Sequence, residues 1–259
     1  MPILARGDND QGGVEVSVEL SILMVAICLG AVLQVGVGIG FSIIAGPPMM
    51  IMLGTSTAVP VLLLLNTIVS VVATDRRILA IERKTTLIGI AGCLVGVIAG
   101  LAIYPFLSEV FVLTLTACLL LIGLITTLIP FHRAIGTAGF SAVSGLSGLA
   151  TVWAATPGPL MVFGLIAKGH QAKEVAKLVQ PIALVAYGIA FLLHSLSSVQ
   201  TNPFGPQLWA FASVTLVGSL IGRAIGPYLP QPLITAAIRL VSLIACCVLF
   251  QRAYAMAYL

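Results

Sequence analysis

QVGVGIGFSIIAGPPMMIMLG, residues Gln34 to Gly54, is apolar enough for a bilayer, yet glycines and the Pro47-Pro48 pair interrupt it. Such a stretch does not form one unbroken spanning helix, because proline removes a helical N–H and glycine loosens the backbone. A second stretch, Ser144 to Gly164, reads SGLSGLATVWAATPGPLMVFG, and Gly38 and Gly148, like Pro47 and Pro157, share an offset of 110. A Gly/Pro-broken apolar segment in corresponding places of two halves points to a transporter's substrate site.

Composition sets the class. The chain is 59% hydrophobic and 8% charged, where soluble domains carry about 25% charged residues. Several stretches run roughly 18–25 residues with few charges, enough to cross about 30 Å of hydrocarbon. The net charge of +4 says nothing of nucleic acid, and its use lies in how Lys and Arg divide among loops. Cys28, Cys93, Cys118, Cys246 and Cys247 all sit in apolar stretches without ligand spacing. They read as small packing residues, with no metal and no cofactor expected. Asp8, Asp10, Glu15 and Glu19 against Arg6 are the wrong charge for a signal peptide.

A short acidic tail (residues 1–17), expected to be loosely ordered, precedes the first half, residues 18–130. A first apolar segment from Val18 to about Leu33 leads into the broken stretch, and Pro60 to Ala73 continues a helix stopping at Asp75-Arg76-Arg77. A charged loop ends at Glu82-Arg83-Lys84. Thr85 to Tyr104 and Val110 to Ile129 are spans joined by a Pro105 turn. Phe131-His132-Arg133 opens the linker, residues 131–136. The second half, residues 137–252, has the other broken stretch, a basic loop from Lys168 to Lys177, and spans from Leu178 to Leu196, Leu208 to Ile225 and Pro232 to Phe250. SSVQTNPFGPQ is its uncharged loop.

The halves repeat one another. LVGVIAGLAIYPFL, Leu94 to Leu107, aligns without gaps to LVGSLIGRAIGPYL, Leu216 to Leu229, with eight of fourteen positions identical. Ala58 with Asn66 matches Ala172 with Gln180 at one spacing of eight. The basic loop follows the Asn66 helix but precedes the Gln180 helix, so equivalent helices enter from opposite sides. The fold expected is an all-α polytopic membrane protein of two inverted repeats. Each repeat is a broken, wholly or partly re-entrant hairpin plus three transmembrane helices. An acidic N-terminus outside and Arg76-Arg77 inside leave 36 residues, Val18 to Leu53, to go in and return. Thr137 to Ala167 gives the second hairpin 31 residues. Irregular backbone at the tips is tolerable only against protein or a water-filled cavity.

Those tips suit an anion. Gln34 starts the first broken stretch, and Gly36, Gly38 and Gly40 let backbone N–H groups approach a ligand closely. Helices restarting at Pro47-Pro48 and Pro157-Gly158-Pro159 would present positive ends with free donors, and Ser144, Ser147, Gly148 and Thr156 complete the second tip. The plainer role for these glycines and prolines is close packing and kinking, as for Gly96 to Gly100 and Gly218 to Gly222. Asn66 and Gln180 either join helices or face the cavity. Arg239 either holds an anion or reaches the interface, and Glu109 suits a helix N-terminus. Gly145-Leu146-Ser147-Gly148 also matches the GxSG string of intramembrane serine proteases, with His194 as its partner base. An interfacial histidine is the alternative there.

The duplicated pattern resembles the TauE/SafE sulfite exporters, also called TSUP anion permeases. GVGIGFSIIAGPPMM (Gly36 to Met50) and the looser GLSGLATVWAATPGPLM (Gly145 to Met161) carry the family's Gly-rich turn and proline. Its G-x-x-x-G-x-x-x-x-P helix appears twice, ending at Pro105 and Pro227. The second copy departs in having Ala150 where the first has Gly40. The resemblance covers about residues 20 to 250. It implies an inner-membrane carrier of sulfite or a related sulfur oxyanion or organosulfonate in a bacterium, not an enzyme. Its partners would be that anion and the lipid bilayer, with a homodimer left open and no nucleic acid. Another small anion or metabolite is the alternative cargo.

Overall fold

The computed structural model describes residues 10–38, 40–75, 77, 81–128, 134–197 and 206–258. Its long helices are α1 (Asp10–Val37), α4 (Thr55–Ala73), α5 (Arg83–Ile103), α6 (Glu109–Leu128), α7 (Thr137–Ala154), α9 (Ala172–Ser197), α10 (Pro206–Ile225) and α11 (Gln231–Tyr258). Between them lie the short α2 (Phe41–Ile44), α3 (Gly46–Leu53) and α8 (Gly158–Ala167). One-turn 3-10 segments, Tyr104–Phe106 and Gly226–Tyr228, end α5 and α10 at matching prolines. Among the described residues there is no strand. Seven helices among the described residues (α1, α4, α5, α6, α9, α10 and α11) are long and apolar enough to cross a membrane. The protein is an all-α polytopic membrane protein.

Several boundaries differ from the expected ones. α1 starts at Asp10 rather than Val18 and ends at Val37. α4 starts at Thr55 and carries Pro60 inside it, as α9 starts at Ala172 and carries Pro181. Transmembrane helices tolerate such prolines because neighbours re-satisfy the freed carbonyls. α11 runs on to Tyr258. Arg76, the linker 131–133 and the loop 198–205 lie outside the described residues.

Close backbone approach decides the packing. α7 lies along α5, and a side chain on Gly148 would collide with the Cys93 carbonyl, one on Gly96 with the Gly145 carbonyl. α1 lies along α10 in the same manner. There a Cβ on Gly218 would sit 2.8 Å from Cys28 O, and one on Gly226 would sit 2.9 Å from Gly36 Cα. In lipid no hydrophobic force drives helices together, so backbone contact between small residues supplies the attraction. Contacts among helices follow one exchange rule. α1 packs on α10 as α7 packs on α5, and α4 on α10 as α9 on α5, while α4 meets α9 and α6 meets α11. Swapping the halves maps this pattern onto itself.

The same contacts correct the register of the repeat. Gly96 and Gly218 are equivalent, and their partners are Gly145 with Gly148 and Cys28 with Ala31. Gly148 therefore matches Ala31, not Gly38, and lies within α7 rather than at a tip. The residue matching Gly38 is Ala155, and both have positive φ, +94° and +49°. The first half then inserts α2 before its proline helix, whereas the second goes straight to α8. At 1.5 Å per residue the ten-residue α8 spans only about 15 Å, short of about 30 Å of hydrocarbon.

Candidate functional site

The first tip is the turn between α1 and α2. Gln34 closes it: its Nε2 donates to Gly38 O at 3.3 Å, and its Oε1 accepts the Phe41 N–H at 3.1 Å. From α9, Gln180 Nε2 donates to the same Gly38 carbonyl at 3.1 Å. Gln180 is 2% exposed and its Oε1 accepts no hydrogen bond, a deficit of roughly 1–3 kcal/mol for a buried acceptor. The turn needs its glycine. A Cβ on Gly38 would lie 2.7 Å from Ala176 Cβ, at a φ of +94° that L-residues seldom adopt.

The second tip is the turn from α7 to α8. Ala155 takes the left-handed conformation that commonly ends helices, with its N–H on Thr151 O at 2.9 Å. Ser147 Oγ donates to Pro157 O at 2.9 Å, and Thr156 Oγ1 to Ala154 O at 2.7 Å. The two tips touch. Ser42 Oγ of α2 lies 2.8 Å from Ala155 O and 3.2 Å from Asn66 Oδ1. Asn66 Nδ2 donates to Leu62 O at 2.9 Å, which orients the amide with its oxygen toward Ser42. The matched amides Asn66 and Gln180 thus both serve the first tip.

Where the tips meet, a cavity of about 110 Å³ opens. A water needs about 10–15 Å³ on this measure, so the space holds several waters or one small oxyanion. Gln34, Gly38, Gly40 and Ser42 line it from the first tip, Thr156, Gly158 and Pro159 from the second, and Arg239 from α11. Val37, Ile43, Val162, Val179, Ala183 and Ile238 make much of the wall apolar. Arg239 is the charged side chain among the lining residues. Thr126 of α6, Tyr187 of α9, and Thr235 and Ser242 of α11 also line it.

The two proline helices are not equivalent as anion sites. α3 follows α2 almost continuously, with Ala45 N–H on Phe41 O and Met49 N–H on Ala45 O. Pro47 and Pro48 have no N–H to give, so the expectation of free donors at that helix start is corrected. α8 starts freshly at Gly158 after the α7 turn, with Pro159 in its first turn. Helix starts leave their first N–H groups without intrahelical acceptors, and this one faces the cavity that Arg239 lines.

Of the residues singled out from sequence, Gln34, Gly38, Gly40, Thr156 and Arg239 line the cavity. Asn66 and Gln180 stand one layer behind, bonded to the tips. Ser144 donates to Phe140 O at 2.8 Å within α7, Gly36 packs on Gly226, and Ser147 is paired with Pro157. Pro47 and Pro48 belong to α3, and Gly148 to the α5–α7 contact. Gly158, named from sequence as part of the second helix start, lines the cavity as well, whereas the sequence reading passed over Ser42 and Tyr187. Ser42, the hydroxyl between Gly40 and Gly46, carried a signal in being polar inside an apolar tip. Ser147 and His194 form no hydrogen bond with one another. His194 Nε2 sits 3.2 Å from Val152 O and its ring contacts Tyr104 edge-on at 4.5 Å. Glu109, in the first turn of α6, also accepts the Thr55 N–H at 3.2 Å and so caps α4.

Gly38→Ala is expected to cost roughly 1–2 kcal/mol for the left-handed backbone, plus the contact with Ala176. Thermal unfolding of the purified variant should move down by several degrees, and an unchanged midpoint would contradict this turn.

Comparison with known proteins adds one finding. The family model described as sulfite exporter TauE/SafE matches residues 22–250. No curated protein and no solved structure matches the chain.

Proposed function

The chain belongs to the TauE/SafE sulfite exporter family, and on that premise we propose that it exports sulfite or a related sulfur-containing anion by alternating access between its two tips. The observation that carries this reading is the cavity where the tips meet, with Arg239 and the start of α8 on its wall. A guanidinium and a helix N-terminus together stabilise an oxyanion, through charge and through backbone N–H groups. Sulfite is small enough for about 110 Å³, and an organosulfonate would place its organic part against the apolar walls.

Direction follows from electrostatics. An interior-negative potential drives anions outward by about 2.3 kcal/mol per charge per 100 mV. In a bacterial inner membrane, with the N-terminus periplasmic and the repeats inverted, the first tip faces the cytoplasm at one stage and the second faces the periplasm at another. The exchange pattern of helix contacts supports that arrangement. Gln34, Gly38, Gly40, Thr156 and Arg239 are the residues proposed to meet the anion, with Asn66 and Gln180 holding the tips. Pairing of two copies is part of the same proposal.

Cells loaded with sulfite, with and without the protein, test the reading. Faster efflux with the protein is expected. Equal rates, together with ligand-induced stabilisation by some other anion, would move the assignment to that anion.

A further inference from the structure

At the junction of the tips, Ser42 meets two acceptors, and the Tyr187 hydroxyl is its other hydrogen-bond partner. Ser42 has one hydroxyl hydrogen, yet its Oγ faces two acceptors, Ala155 O at 2.8 Å and Asn66 Oδ1 at 3.2 Å. The Asn66 amide cannot turn its NH₂ toward Ser42 without losing the bond to Leu62 O. On the other flank of the same turn, Gln180 Oε1 is buried and accepts nothing, while its Nε2 is committed to Gly38 O. Asn66 and Gln180 are 3% and 2% exposed, so bulk solvent does not supply the missing donors. Asn66 Oδ1 thus shares the single Ser42 hydrogen with the Ala155 carbonyl, and Gln180 Oε1, on the facing helix, has no donor at all.

We propose that the junction of the tips binds a small monovalent cation, of the sodium class, through Ser42 Oγ, Asn66 Oδ1 and the Ala155 carbonyl. Each oxygen is neutral, and helix-ending carbonyls beside unwound backbone are apt ligands for such an ion within a membrane. The ligand set selects charge: divalent calcium recruits carboxylates, and no group of three or more His, Cys, Asp or Glu that could hold a metal occurs among the described residues. On binding, the Ser42 hydroxyl turns its hydrogen to the Tyr187 oxygen and its lone pairs to the ion, and the Ala155 carbonyl exchanges its hydrogen bond for the cation. The ion therefore joins the first half to the second. It also lies beside the cavity, where its charge adds to the attraction for an anion. The proposal rests on the geometry of the tips and not on sulfite being the cargo.

Thermal unfolding of the full chain in detergent, in sodium chloride or in N-methylglucamine chloride at equal ionic strength and without sulfite, tests it. Sodium should raise the midpoint by about 5 °C at saturation. Ser42→Ala and Asn66→Ala should remove the response, and Thr67→Val, one position along α4, should keep it. Asn66→Asp supplies a carboxylate and should raise the sodium affinity about tenfold. Equal midpoints in the two salts, or a sodium response that survives both alanine variants, would overturn the site. Because no transported anion is present, failure here is separable from failure of sulfite export.

Discussion

Arg239→Gln, reconstituted in liposomes, is expected to pass sulfite about 10 to 100 times more slowly than the parent. A hydrogen bond to a charged group is worth about 1.5–3 kcal/mol, and tenfold in rate corresponds to about 1.4 kcal/mol. Arg239 is half-buried on α11, a helix that packs against α2 and α3, and lines the cavity. Its loss leaves the start of α8 as the remaining source of positive potential. Arg239→Lys keeps the charge but not the planar fork that matches an oxyanion's edge, so intermediate flux is expected. The measurement is initial sulfite efflux from loaded vesicles at matched protein density. Parental flux in Arg239→Gln would place the anion elsewhere.

Gly148→Ala is expected to prevent stable folding, whereas Gly145→Ala, one turn earlier on the same helix, should be tolerated. An added Cβ at Gly148 collides with the backbone carbonyl of Cys93, which has no flexible end to yield. At Gly145 the nearest atom is Gly92 O at 3.7 Å, an ordinary contact. Separating α5 from α7 to admit one methyl group would forfeit their whole seam, a loss of more than about 4 kcal/mol, in the range reserved for gross structural damage. Monodispersity and unfolding temperature of the detergent-solubilised variants give the comparison. If both behave alike, the α5–α7 contact is not as close as described.

The class, the duplication and the places where the helices break were legible in the sequence, because apolar length, glycine and proline report directly on a bilayer and on backbone freedom. The register of the tips was not. Glycine has two uses, positive φ at Gly38 and close approach at Gly148, and a letter does not distinguish them. Matching those two glycines hid the true equivalence of Gly38 with Ala155, a pairing of unlike residues in like conformations. The proline alignment is offset too: Pro47 is the second residue of α3, whereas Pro157 precedes α8 and Pro159 is its second residue. Ser42 acquires its importance from Ala155, 113 positions away, and no local period signals a partner so distant. Asn66 and Gln180 stood out as amides in apolar helices, and only coordinates could show that both turn toward one tip.

The inserted turn α2 makes the protein lopsided. In a carrier built from two interchangeable halves, the inward- and outward-facing forms would be mirror descriptions of one another and equally populated without a gradient. Here one half carries an extra turn with Ser42 and the other carries Arg239, whose counterpart at the matching offset is Ala117. Exchanging the halves' conformations therefore exchanges unlike parts. In the proposed alternating-access carrier, the two facing states are thus unequal in energy before any ion or potential acts.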